Sequence, residues 1–217
     1  MEKAIAIVGM GGGISYAAAL KFGHEGYKVL MISRNNEKLK TFEEMLTGDG
    51  IDAHHFVGDA GDEKSLKKAF TEIRDKIGNP EVLFYNAASV HKTNILEESS
   101  ATLVKDFKTN VVGILTAVKE VLPTMKAHDR GTILITGGGL SLTPFPDYGS
   151  LAIGKAGARN LAQQLAIELK QTHIKTGSII IKGFVSPEDL RYNPTSIAEE
   201  FWKIHTQSGN NISEIHY

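Results

Sequence analysis

Gly9-Met10-Gly11-Gly12-Gly13-Ile14-Ser15 follows directly on the apolar run Ala4-Ile5-Ala6-Ile7-Val8 and leads into a helical pattern from Ile14 to about His24. A buried strand, a glycine-rich turn and a helix, in that order, make the phosphate-holding unit of doubly wound α/β proteins. Glycine lets the backbone come close to an anion, and the helix N-terminus offers unpaired N–H groups at the positive end of its dipole. The spacing does not fit G-x-G-x-x-G, because Ile14 stands at the third glycine. G-x-x-x-G-x-G fits at Gly9 and Gly13, with Ser15 at its last position. A structural turn without a ligand is the alternative reading. Placement on the first βα turn favours a dinucleotide held by Gly9, Gly11, Gly12, Gly13 and Ile14.

Outward from the turn, short apolar runs alternate with helical patterns. Val29–Ile32, Asp52–Val57, Val82–Tyr85, Thr132–Thr136, Ser178–Lys182 and Ser213–Tyr217 read as further strands. Between them lie helical stretches, among them one with Leu66, Ala69, Phe70, Ile73 and Ile77 on a single face. Others run from about Ala101 to Lys126 and from about Ser150 to Lys170, and a last one is seeded by Pro194-Thr195-Ser196. Continuous apolar strands separated by helices predict a parallel sheet covered on both faces. The expectation is a Rossmann-type α/β/α sandwich with a doubly wound parallel sheet, residues 1–217 forming a single domain.

The end of the second strand bears on which dinucleotide binds. An NAD site carries an acid there to bond the ribose 2′-hydroxyl. Here the strand ends in Ser33-Arg34-Asn35. Arg34 would clamp a 2′-phosphate that a carboxylate would repel, which favours NADP(H) over NAD(H). An ordinary solvated arginine remains the plainer alternative.

The chain resembles the short-chain dehydrogenase/reductase family over nearly its whole length. Gly9 and Gly13 match two of the family's three turn glycines, and Asp59, with Ala60 after it, matches the acid that bonds the adenine amino group. Asn86-Ala87-Ala88 resembles the family's Asn-Ala-Gly motif, with Ala88 in place of glycine. Asn110 matches a helix asparagine of the family's proton relay. Gly183-Phe184-Val185 matches the segment beside the nicotinamide, although Lys182 replaces the usual proline. The resemblance implies an NADP(H)-dependent oxidoreductase acting on a small carbonyl or alcohol. It also implies a homodimer or homotetramer built on the helices that start near Ala101 and Ser150.

The family's chemistry uses a tyrosine as acid, a lysine four residues on that lowers its pKa, and a serine about thirteen residues before the tyrosine. Lys155 matches the lysine, but the tyrosine position is Leu151 and the serine position is Gly138. In one reading Tyr148 and Ser141 substitute from nearby. Tyr148 on the helix would lie about 10.5 Å from Lys155 along the axis, so it is expected in the loop before it, with the relay open. A packing tyrosine and an ordinary loop hydroxyl are the alternative. In the other reading the protein binds NADP(H) without that acid, as a cofactor-binding or sensing protein, with Lys155 bonding the ribose. Lys155 as its own proton donor is disfavoured by an ordinary pKa near 10.4.

Composition narrows the rest. The net charge is −1, hydrophobic residues make up 41% and charged residues 23%, which is globular and argues against nucleic acid or an anionic membrane as partner. Cysteine is absent, excluding disulfides and a thiol nucleophile. No signal-peptide pattern or span-length apolar run is seen, so a cytoplasmic location is expected. No His, Asp and Glu set has metal-ligand spacing, and His91, five residues past Asn86, is placed to reach the cleft but as a lone loop histidine is expected to be solvated. His54 and His55 are adjacent on a strand and face opposite sides.

Overall fold

The structure is a computed structural model that describes residues 1–207 and 212–217. Its strands are β1 (Glu2–Val8), β2 (Lys28–Ser33), β3 (Ala53–Val57), β4 (Pro80–Tyr85), β5 (Gly131–Thr136), β6 (Ile174–Ile180) and β7 (Ile212–His216). They form one sheet in the order β3-β2-β1-β4-β5-β6-β7, every pairing parallel. The helices are α1 (Ile14–His24), α2 (Asn36–Gly48), α3 (Glu63–Lys76), α4 (Ser100–Phe107), α5 (Gly113–Ala127), α6 (Gly149–Glu168) and α7 (Pro194–Thr206). Among the described residues no helix is long and apolar enough to cross a membrane.

Strand alternation divides the core in two. Ala4, Ala6 and Val8 of β1 pack with α3, α5 and α6 through Leu66, Ile114 and Ala162, whereas Ile5 and Ile7 face α1, α2 and α7 through Phe22, Leu39 and Phe201. Such two-sided burial makes these strands continuous apolar runs. The helix starts follow local capping: Asn35, Asp62, Ser99 and Asn193 each accept from the backbone N–H three residues on, and Pro194 opens α7.

Two expectations need correction. The sixth strand begins at Ile174 rather than Ser178, because Ile174 to Gly177 pair with Gly131 to Leu134 although Lys175, Thr176 and Gly177 carry no apolar signal. The helix expected over 101–126 is interrupted by a π-turn, Lys108–Val112, between α4 and α5. A hydrogen bond from the Tyr85 hydroxyl to the Thr109 carbonyl oxygen (2.5 Å) supports that turn, which carries Asn110.

On the α7 side, His205 is buried with Nε2 2.7 Å from the Tyr27 hydroxyl and Nδ1 2.9 Å from Thr132 Oγ1. Burial, with Lys175 and Lys3 adding repulsion, lowers its pKa from 6.5 to about 4. A base depressed on folding binds its proton more readily in the unfolded chain, so its contribution is lost as pH falls below 6.5. Relative to His205→Gln, the wild type should lose about 2 kcal/mol of unfolding free energy between pH 7 and pH 5. Urea unfolding of both at the two pH values measures it; equal losses would show that His205 is not the titrating group.

Candidate functional site

A parallel sheet brings the ends of all its strands to one edge. Gly9, Arg34, Asp59, Asn86, Gly138 and Gly183 follow β1 to β6 in turn and meet along it. Strand order reverses direction between β1 and β4, and ligands of such sheets lie outside the carboxyl ends at that switch point.

The turn after β1 is tied to the turn after β4. Gly9 has φ +92°, and a Cβ there would run into the Cα and N of Ala87. Ser15 Oγ donates to the Gly9 carbonyl oxygen, and Asn86 Nδ2 donates to Ser15 Oγ, both at 2.8 Å. Ser15 thus has a definite task at the position where the fingerprint has glycine. Gly11 and Gly13, by contrast, have no protein atom within 4 Å of an added Cβ. The first turn of α1 carries no acid, and Gly13 supplies no side-chain cap. Open glycines before an uncapped helix start fit a diphosphate, whose oxygens would take the unpaired N–H groups.

A cavity of about 460 Å³ adjoins this turn, lined by Gly11, Gly12, Ser33, Arg34, Lys38 and Thr41 among others, with no carboxylate in its wall. Arg34 and Lys38 are exposed, and neither side chain makes an ion pair or hydrogen bond among the described residues. Lys38 was missed in the sequence because its approach depends on the Asn35 cap, which sets the first turn of α2.

A second cavity, about 690 Å³, lies over the ends of β5 and β6. Ile14, Tyr148, Lys155, Gly183 and Val185 line it together with Leu140, Leu142, Phe145 and Leu151. Lys155 Nζ donates to the Thr136 carbonyl oxygen at 2.8 Å. Burial of its ammonium lowers its pKa from 10.5 to about 8. Leu151 is buried one helical turn before it. An added Cβ on Gly138 would touch the Lys155 stem at 3.6 Å, an ordinary contact, so the serine position is open but bare of a hydroxyl.

Tyr148 reaches the cavity from the N-cap of α6, outside the helix, with its ring 6.3 Å from Phe145. Ser141 does not line the cavity; its hydroxyl turns back to donate to the Gly138 carbonyl oxygen at 2.8 Å inside a 3₁₀ turn. Asn110 is buried against Gly154, its Oδ1 accepting from the Ser89 N–H at 2.7 Å and its Nδ2 without a partner among the described residues. Asp59 Oδ1 accepts from the Gly61 N–H at 2.8 Å, and the Ala60 carbonyl packs at Gly113. Ala88 is exposed after β4.

His91 departs from the solvated loop residue expected. Its Nε2 lies 2.6 Å from Glu98 and its Nδ1 3.4 Å from Asp106, whose carboxylate also accepts from Ser150 Oγ. Residues far apart in the chain form this group, which ties the segment after β4 to α4 and to the residue before Leu151. The Glu98 hydrogen bond raises the pKa of His91 against some desolvation. A base raised on folding stabilises fully below its unfolded value near 6.5 and loses that contribution as pH climbs through the raised value. His91→Gln should therefore cost more stability at pH 6 than at pH 9; an equal cost at both would mean the ion pair adds nothing.

A family model described as short chain dehydrogenase matches residues 3–192. The chain belongs to the short-chain dehydrogenase family. The human protein "Short-chain dehydrogenase/reductase 3" is 27% identical over 166 residues, covering 76% of this chain and 55% of that protein. The chain thus spans about half the length of that relative. The bovine "3-oxoacyl-[acyl-carrier-protein] reductase" is 25% identical over 85% of this short-chain dehydrogenase and 76% of its own length. Among solved structures, a short-chain dehydrogenase from Rhodopseudomonas palustris superposes with a TM-score of 0.87 at 25% identity, covering 99% of this chain and 97% of that one. A metagenomic short-chain oxidoreductase in complex with NADP gives 0.88 at 22% identity, with coverage of 100% and 97%.

Proposed function

We propose that this short-chain dehydrogenase is an NADP(H)-dependent oxidoreductase of a small carbonyl or alcohol substrate. The observation that carries the cofactor choice is the carboxylate-free cavity beside the glycine turn, where Arg34 and Lys38 have no ion partner among the described residues. Two cations at the ribose end of the site favour a 2′-phosphate. The backbone at Gly11 to Ile14 would take the diphosphate, Asp59 the adenine, Lys155 the nicotinamide ribose, and Val185 the nicotinamide side of the larger cavity. When bound, the nicotinamide supplies or accepts hydride. The apolar walls at Leu140, Leu142, Phe145 and Leu151 support a substrate with a hydrophobic body.

A second reading, a cofactor-binding protein without turnover, draws on Leu151 and Gly138, which leave the two family hydroxyls absent. Titration of NADPH and NADH, followed by a carbonyl panel, separates the two. The oxidoreductase reading expects tight NADPH binding and NADPH consumption with at least one hydrophobic carbonyl. Binding without consumption would favour the second reading, and no NADPH binding would reject both.

A homo-oligomer fits the exposed apolar residues Val104, Phe107, Val112 and Leu115 on α4, the π-turn and α5, with Ile153 on α6. Light scattering after size exclusion should return two or four copies; a monomer at micromolar concentration would count against it.

A further inference from the structure

We propose that Lys155 itself gives the proton to the substrate oxygen, acting where the family's reaction uses a tyrosine. The inference rests on the reading of the protein as an NADP(H)-dependent oxidoreductase. Its basis is the geometry of the larger cavity. Leu151 lies one turn before Lys155, and Gly138 lies against the Lys155 stem, so neither wall position offers a hydroxyl. Ser141 is turned away and spends its proton on Gly138. Tyr148 reaches the cavity from outside α6, and its phenol has no hydrogen bond to Lys155 or to any other described group that would make it an acid.

Lys155 has what those residues lack. It lines the cavity, where the exposed Lys182 is the other cation of the wall, its Nζ is aimed by the Thr136 carbonyl, and no carboxylate pairs with it among the described residues. An ammonium has three protons, so the Thr136 bond leaves two free for ligands. Desolvation brings the group to about 8, which removes the objection that an ordinary lysine holds its proton too tightly.

The step balances as follows. With hydride delivered to the carbonyl carbon, the C=O π pair moves to oxygen and takes a proton from Lys155 Nζ. An alcohol and a neutral amine result, the nicotinamide is oxidised, and water at the cavity mouth reprotonates the amine. Reduction therefore needs the ammonium and should fall as pH rises through about 8; alcohol oxidation needs the amine and should rise over the same range.

The test has three parts. Lysines are ¹³C-methylated in the cofactor-free protein and titrated by NMR, with Lys155→Arg assigning the signal; the Lys155 signal should titrate near 8. NADPH affinity is measured by fluorescence for wild type, Lys155→Arg and Tyr148→Phe. Carbonyl reduction is then followed across pH. Lys155→Arg keeps the cation but cannot release a proton near neutrality, so kcat should fall on the order of 100-fold or more with NADPH still bound. Tyr148→Phe should retain the limb near pH 8, and Gly138→Ser with Leu151→Tyr should displace it by supplying a phenol. The proposal is overturned by Lys155→Arg within a few-fold of wild-type kcat, by a limb that vanishes in Tyr148→Phe, or by a Lys155 signal that does not titrate below 9. Wild type that binds NADPH but reduces no carbonyl also overturns it, whereas failure to bind NADPH rejects the underlying function instead.

Discussion

Replacing Arg34 and Lys38 together with alanine is expected to weaken NADPH binding about 100-fold while NADH binding stays within a few-fold of wild type. Each side chain would give a charge-assisted hydrogen bond to the 2′-phosphate, worth about 1.5–3 kcal/mol where a charged group is involved. Both are exposed, so the lower end applies and the pair contributes about 3 kcal/mol. Neither is tied down by a carboxylate among the described residues, so their removal strands no partner and should leave Tm unchanged. The loss should also shrink at high salt, since exposed charges are screened. Fluorescence titration with both nucleotides at low and high ionic strength measures all of this. A parallel loss for NADH would mean that the two cations hold the diphosphate and that the preference for the 2′-phosphate form is mistaken.

The contrast between Arg34 and Lys38 shows how far the sequence can be read. Arg34 is legible because it immediately follows a strand whose end has a known place in such sheets. Lys38 reaches the same cavity only through the helix start that Asn35 caps. The doubly wound sheet was legible for a similar reason: its central strands β1, β2 and β4 are apolar on both faces, and that pattern survives in one dimension. β6 was placed late because Lys175, Thr176 and Gly177, after its first residue, pair through the backbone while their side chains give no apolar signal. The group of His91, Glu98, Asp106 and Ser150 was not legible at all. Its members belong to the segment after β4, α4 and α6, and only tertiary packing brings them together. The absent hydroxyls at Gly138 and Leu151 could be counted from Lys155, but not the desolvation that lowers that lysine.

The glycines of the first turn should separate into two kinds when each is changed to alanine. Gly9→Ala meets two penalties at once. Its φ of +92° is strained for any residue with a Cβ, and that Cβ would overlap the Ala87 backbone. Strain of this kind costs about 1–3 kcal/mol, and overpacking about the same again, so roughly 2–6 kcal/mol of stability should be lost. For a chain of this size that is on the order of a 10 °C fall in Tm. Because Ser15 and Asn86 are hydrogen-bonded across the same junction, relief of the overlap would part the turns after β1 and β4, and NADPH binding should fall with the fold. Gly11→Ala meets neither penalty, having no protein atom within reach of its Cβ. Its Tm should hold, yet NADPH binding should weaken roughly tenfold or more, the loss of one backbone contact to a charged oxygen. Thermal melts and NADPH titrations of the two variants distinguish the cases. If Gly11→Ala bound NADPH as well as wild type, the open space before α1 would not be where the diphosphate lies, and the turn would be only a link between strand and helix.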